Sequence, residues 1–231
     1  MEAKPTWSRR IKCGLIANVL MTDISHGNLS IIQPINQLHQ KQRNIIDAPW
    51  SYLDQVHSGD VIRVQDPGHC QGEKGDGMVT TTLKTPLSIQ TADCAPVALI
   101  SDAQVLGIVH AGWRGLLSGI IQNACNEMIK LGGAPLTAIV GPCIHAQYYE
   151  FGEADLESMM REFGPTVRSK TKEGTLALDI PETVKIALER NNVEEIYSIG
   201  NCTAESKEFW SYRAGQDIER QAMVAWLEET K

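Results

Sequence analysis

Two histidines and a cysteine lie in three distinctive local sequences: Gln55-Val56-His57-Ser58-Gly59, Thr91-Ala92-Asp93-Cys94-Ala95-Pro96 and Val109-His110-Ala111-Gly112-Trp113-Arg114-Gly115. Two imidazoles and a thiolate make a three-ligand zinc set. Structural zinc usually takes four protein ligands, whereas catalytic zinc keeps three and leaves a position for water or substrate, so the ligand count points to catalysis. The intervals, 37 residues from His57 to Cys94 and 16 from Cys94 to His110, are too long for a finger or a ribbon. A tertiary fold must assemble the site. Bound zinc would hold Cys94 as thiolate and both imidazoles neutral, with their second nitrogens tied to acceptors. Asp93 is a candidate for such an acceptor, or for a proton carrier beside the metal; its plain structural reading is a turn cap.

The segment from His110 to Gly115 carries a second piece of chemistry. A strand turning through Gly112 into a helix near Arg114 presents free N–H groups and the positive end of the helix dipole, which favour an anion by roughly 0.3 to 2 kcal/mol. Arg114 adds a bidentate fork suited to phosphate or a developing oxyanion. Its structural alternative is a surface ion pair, with Trp113 packed in the core. Cys143 and His145, in Gly141-Pro142-Cys143-Ile144-His145, are candidates for lining the substrate pocket or supplying a fourth ligand, while a buried thiol after a strand explains Cys143 equally well. His69-Cys70 falls in a glycine-rich loop, His26 and His39 read as structural or surface residues, and Cys13 and Cys125 as core.

Runs rich in β-branched and aliphatic residues predict strands at 15–20, 61–64, 87–90, 97–100, 105–109, 138–140, 196–199 and 222–227. Cys94 then follows one strand, in a turn set by Pro96, and His110 ends another. A helix is expected over 116–131, with Leu116, Leu117, Ile120, Ile121, Ala124, Met128 and Leu131 on one stripe and Gly132-Gly133 as its stop. Further helices are expected at 154–162 and at 182–191, the latter opened by Pro181. Strands that follow one another without helices between 87 and 109 exclude a regular βαβ array. A mixed-sheet α+β fold remains.

With 231 residues, 42% of them hydrophobic, the chain is expected to form one domain over 1–231 without cross-links. Its formal net charge of −7 and dispersed cations exclude a nucleic-acid footprint. No apolar stretch approaches the ~20 residues that span a bilayer, so no membrane partner is expected. Six cysteines without small-scaffold spacing suit a reducing cytoplasm.

These motifs, with Gly75-Asp76-Gly77-Met78-Val79-Thr80, Tyr149-Glu150-Phe151-Gly152, Asn201-Cys202-Thr203 and Phe209-Trp210-Ser211-Tyr212-Arg213, resemble the polyphenol oxidase or laccase-domain family. Its members include purine nucleoside phosphorylases with adenosine deaminase activity and a bacterial peptidoglycan editing factor. The resemblance implies a layered α/β/β/α domain and zinc on His57, Cys94 and His110. It implies phosphorolysis of inosine, guanosine, adenosine or methylthioadenosine, with phosphate as co-substrate, and hydrolytic deamination of adenosine; the editing-factor branch implies instead a zinc or cysteine amidase acting on mis-loaded UDP-muramyl amino acids. The residues alone indicate metal-assisted hydrolysis or phosphorolysis, or attack by a Cys94 thiolate paired with His110. Copper oxidation of the multicopper type does not fit six histidines with no His-x-His pair, and the His-x-Glu with Pro-Cys-x-x-Cys deaminase signature is absent. The family's Asn-Arg pair before the first ligand reads Asn36-Gln37 here, with Arg43 a spatial substitute, and its Thr-Gly-Arg near the C-terminus reads Ile218-Glu219-Arg220.

Overall fold

A strand that is apolar at every position must be covered on both faces, and the longest such runs here are. The computed structural model describes residues 4–230; residues 1–3 and 231 of the expected domain lie outside it. In chain order the elements are β1 (Trp7–Arg10), β2 (Ile16–Met21), α1 (Ile35–Ile45), β3 (Ser51–Asp54), β4 (Val61–Val64), β5 (Glu73–Lys74) and β6 (Gly77–Thr80). There follow β7 (Leu87–Thr91), β8 (Ala95–Ser101), β9 (Leu106–Ala111), α2 (Trp113–Leu117), α3 (Ile120–Lys130), β10 (Pro135–Val140) and α4 (Glu153–Phe163). The chain ends with β11 (Arg168–Lys170), β12 (Leu176–Leu178), α5 (Ile180–Arg190), β13 (Glu195–Ser198), α6 (Tyr212–Gly215) and β14 (Gln221–Glu228).

Two six-stranded mixed sheets, ordered β1-β2-β14-β7-β3-β5 and β13-β10-β8-β9-β6-β4, pack face to face. Side-chain alternation along each strand assigns the layers. Met223, Ala225 and Leu227 of β14 meet Ala98 and Ile100 of β8 and Leu106 and Ile108 of β9 between the sheets. Val224 and Trp226 turn outward onto Leu38 and Ile45 of α1. Val97, Leu99 and Val109 turn outward the other way, onto Ile120, Ala124 and Met128 of α3 and Val184 and Leu188 of α5. The layers therefore run α/β/β/α, as the family resemblance implies.

The expected strands all form, with ends shifted by a few residues. The expected helix over 116–131 is instead two helices, because Gly119 adopts a left-handed φ of 75° at the start of α3 and interrupts the ladder after Leu117. Pro96 does not set the Cys94 turn; it lies inside β8, opposite His110 of β9. Residues 154–162 and 182–191 extend N-terminally to Glu153 and Ile180, where Asp179 caps α5 by accepting from the Glu182 N–H. Among the described residues, no helix is long and apolar enough to cross a membrane.

Candidate metal centre

Strand register brings the three motif residues together. The β8–β9 pairing sets Ala95 opposite Ala111, so Cys94 and Gly112, one step beyond, face each other at the end of the ladder. A Cβ added to Gly112 would lie 2.9 Å from Cys94 Sγ and 2.9 Å from His57 Cδ2. Any other residue there would fill the space between the donors. The donor atoms of His57, Cys94 and His110 lie within 4.8 Å of one another, and the two imidazole rings are 4.8 Å apart at 67°. Cys94 Sγ is 3.8 Å from His57 Nε2, close to the roughly 3.6 Å edge that tetrahedral zinc bonds of about 2.3 and 2.05 Å would impose. The donor types and the cleared space both fit such an ion. Among the described residues these three form the group able to hold one.

One buried carboxylate organises two of the three donors. The β6–β9 pairing places Asp76, just before β6, beside His110. The His110 backbone N–H donates to Asp76 O at 2.7 Å, and His110 Nδ1–H donates to Asp76 Oδ1 at 2.8 Å, which leaves Nε2 facing the cluster. The same carboxylate accepts from the N–H groups of Val56, His57 and Ser58 at 3.2, 3.0 and 2.6 Å and from Ser58 Oγ at 3.0 Å. This cradle holds His57 in the left-handed conformation, φ 61°. Burial acts to raise the Asp76 carboxyl, but the bonds from His110 and Ser58 hold it below its ordinary value.

Cys94 and His110 adjust each other as an ion pair does. Burial opposes the Cys94 thiolate, yet His110 and then His57 bring the thiol down to about 6. Burial likewise opposes a charged His110, but Cys94 and Asp76 push it up to about 9.

The other residues singled out from the sequence take different places. Asp93, at φ 97°, accepts from Thr203 Oγ1 at 2.6 Å, Ser211 Oγ at 2.7 Å and the Arg213 N–H at 2.7 Å. The imidazole acceptor expected there is supplied by Asp76, 34 residues from His110. Arg114 is exposed and stacks 4.2 Å over Trp113, which meets Phe151 edge-on at 5.3 Å. The helix behind it has only five residues, so the expected dipole contribution is small and anion binding would rest on the guanidinium. Cys143 is buried in the helix-side core, where desolvation pushes its thiol far up. His145 is half-buried and its N–H donates to Cys202 Sγ at 3.3 Å. Neither belongs to the metal group.

A cavity of about 220 Å³ opens beside the three donors, lined among others by Ile31, Leu53, Gln90 and Arg220. Arg43 lies in a separate cavity with His39, Gln42 and Trp50, so the arginine that reaches the donor cavity is Arg220. Its Nη1 donates to the carbonyls of Asp217 and Glu219. Sequence reasoning missed the roles of Asp76, Gln90 and Arg220. Signals existed for Asp76, an acid set between glycines just ahead of a strand, and for Arg220, which stands where the family's Thr-Gly-Arg carries its arginine; Gln90 is placed by tertiary contacts alone.

A model of the family described as multi-copper polyphenol oxidoreductase laccase matches residues 30–228, and the chain belongs to that family. It is 38% identical over 172 residues to a Deinococcus radiodurans protein named purine nucleoside phosphorylase, covering 72% of this chain and 66% of that one. A Streptomyces coelicolor protein of the same name is 32% identical over 196 residues, 83% of this chain and 81% of the other. The match to a Rickettsia prowazekii protein so named spans 62% of that protein's length. The crystal structure of a Neisseria meningitidis protein of the DUF152 family superposes with a TM-score of 0.80 at 24% identity, covering 96% of this chain and 98% of that one. Bacillus licheniformis YfiH superposes at 0.81 and 19% identity, with 96% and 99% covered.

Proposed function

We propose that the protein is a zinc-dependent purine nucleoside phosphorylase acting on inosine, guanosine, adenosine or methylthioadenosine, with hydrolytic deamination of adenosine as a second activity. The observation that carries this reading is a three-donor cluster lining a cavity, a count of donors that would leave one tetrahedral position for a ligand; relatives named purine nucleoside phosphorylase support it. Two imidazoles and one thiolate suit zinc, and a single three-donor group among the described residues is too few for a multicopper centre. When bound, zinc would supply Lewis-acid stabilisation of charge developing on the substrate. The protein's own residues do the rest. Asp76 keeps His110 in the tautomer that presents Nε2, and Gly112 leaves room between Cys94 and His57. Arg114, exposed and stacked on Trp113 outside the donor cavity's lining, would offer its guanidinium to phosphate, which attacks the anomeric carbon as the C–N bond to the base breaks. Six unpaired cysteines accord with work in a reducing cytoplasm.

The test is the initial rate of inosine cleavage across a phosphate titration, for wild type and Arg114→Ala. Arg114→Ala should raise the phosphate KM and lower kcat/KM roughly 10- to 150-fold, the equivalent of a charge-assisted hydrogen bond of about 1.5 to 3 kcal/mol, at unchanged zinc content. A wild-type rate that ignores phosphate would sink the phosphorylase. A second reading rests on geometry: Cys94 Sγ lies within 4.8 Å of an imidazole nitrogen of His110, and the neighbouring imidazoles bring its thiol down, which suits a thiolate nucleophile. It would make the protein an amidase, for which the substrate class taken from the resemblance is a mis-loaded UDP-muramyl amino acid; its mark is amide cleavage that persists after zinc is stripped.

A further inference from the structure

Cys94 belongs to two surfaces. It lines the donor cavity, and it also bears on the Tyr149 phenol, which burial first and Cys94 next push up against the opposing charges of Arg213 and Arg114. Both arginines therefore stand near the same phenol as Cys94.

Tyr149, Phe151 and Trp113 form an aromatic ladder, with ring centroids 5.4 Å apart at the first step and 5.3 Å at the second. An arginine caps each end: Cζ of Arg213 lies 4.8 Å from the Tyr149 centroid and Cζ of Arg114 4.2 Å from that of Trp113. A guanidinium laid on an aromatic face keeps its N–H edge free for an anion. The backbone sets both arginines beside Cys94. Arg114 closely follows Gly112, the glycine packed against Cys94 Sγ. The Arg213 N–H donates at 2.7 Å to Oδ2 of Asp93, the sequence neighbour of Cys94, and Arg213 Nη1 donates at 2.8 Å to the Glu150 carbonyl. Acidic residues outnumber Lys and Arg 28 to 21, yet among the described residues the arginines in ion pairs are Arg9, Arg63 and Arg190. Arg114 and Arg213, both exposed, are in none.

We propose that Arg213 is a second phosphate-binding residue, which with Arg114 holds one inorganic phosphate on the flank of Cys94; this rests on the phosphorolysis reading. Phosphate has oxygens enough to accept from two guanidinium forks at once, and exposed side chains reorient freely enough for both to turn to it. A lone exposed guanidinium is screened by salt and water. Two acting together hold the anion that one would hold weakly.

The experiment is calorimetric titration of inorganic phosphate into the zinc-loaded protein, with zinc content, Tm and inosine kinetics recorded for each variant. One phosphate should bind per chain, and Arg213→Ala should weaken it roughly 10- to 100-fold, as should Arg114→Ala. In turnover the phosphate KM should rise while saturating phosphate restores kcat, a split that a merely structural defect would not give. Arg213→Ala keeps the N–H that Asp93 accepts, so zinc content should hold; Arg213→Gln, which retains a donor for the Glu150 carbonyl, serves if Arg213→Ala does not fold. Wild-type phosphate affinity in the Arg213 variant, or no phosphate binding by wild type, would overturn the proposal. Phosphate binding that depends on Arg213, beside inosine turnover that ignores phosphate, would support it while removing the phosphorylase. Phosphate-dependent turnover indifferent to Arg213 would overturn it and leave the phosphorylase standing.

Discussion

Two buried carboxylates flank the donor cluster, and they hold different regions. Asp76, fully buried, binds the ring of His110 and the backbone that carries His57. Asp93, the neighbour of Cys94 in sequence, binds Thr203, Ser211 and the Arg213 N–H, and so ties the C-terminal segment to the turn between β7 and β8. Adjacency along the chain therefore misleads. A residue next to a ligand in sequence points its side chain elsewhere when the backbone turns, as at φ 97° here, whereas a residue across the ladder is brought into contact by register. One carboxylate belongs to the three-donor cluster and the other to its frame.

The largest expected effect separates the two. Asp76→Ala removes the acceptor for two donor-bearing segments; losing the carboxylate that orients a ligand imidazole lowers metal affinity about 10- to 100-fold, while stranding buried donors costs about 3–5 kcal/mol of stability. Competition titration of zinc and denaturant unfolding measure both, and an unchanged zinc affinity would break the distinction. Asp93→Asn should be milder, about 1.5–3 kcal/mol of stability from lost charge-assisted bonds, with zinc affinity within about threefold of wild type because no donor is touched. A larger zinc defect than that of Asp76→Ala would reverse the assignment.

The smallest effect is in pH. Because Asp76 is held below its ordinary value, the unfolded chain binds more protons near pH 4. Stability from this group is fully present above the unfolded carboxyl's titration, near pH 4, and is lost as pH falls through the lower folded value. Asp76→Asn should flatten that part of the metal-free protein's acid unfolding curve, whereas an acid limb identical to wild type would show that Asp76 contributes nothing there.

Much of the scaffold was legible in the sequence, for a reason visible in the packing. Strands covered on both faces require near-continuous apolar runs, so β2, β8, β9 and β14 announce themselves. The strands that escaped notice are short or polar: β5 has two residues, and β3 ends in Asp54. Helix α1 was missed because Pro34 offers no side-chain cap and one of its three buried positions is Gln42. The long helix was misread because a hydrophobic stripe continues across Gly119 even though the backbone does not.

The candidate site divides in the same way. By itself the sequence picked out the three candidate donors that the fold brings together, two imidazoles and a thiol, since the chemical types of side chains need no fold to be read. It also determined that Gly112 stands beside a ligand, although the reason, a Cβ 2.9 Å from Cys94 Sγ, is tertiary. Only the structure decided that Asp76 rather than Asp93 orients His110, that Arg220 rather than Arg43 reaches the donor cavity, and that Gln90 is among the residues lining it. Each depends on which strand lies beside which and in what register, and that choice is made by the burial of whole faces of two sheets rather than by any local run of residues.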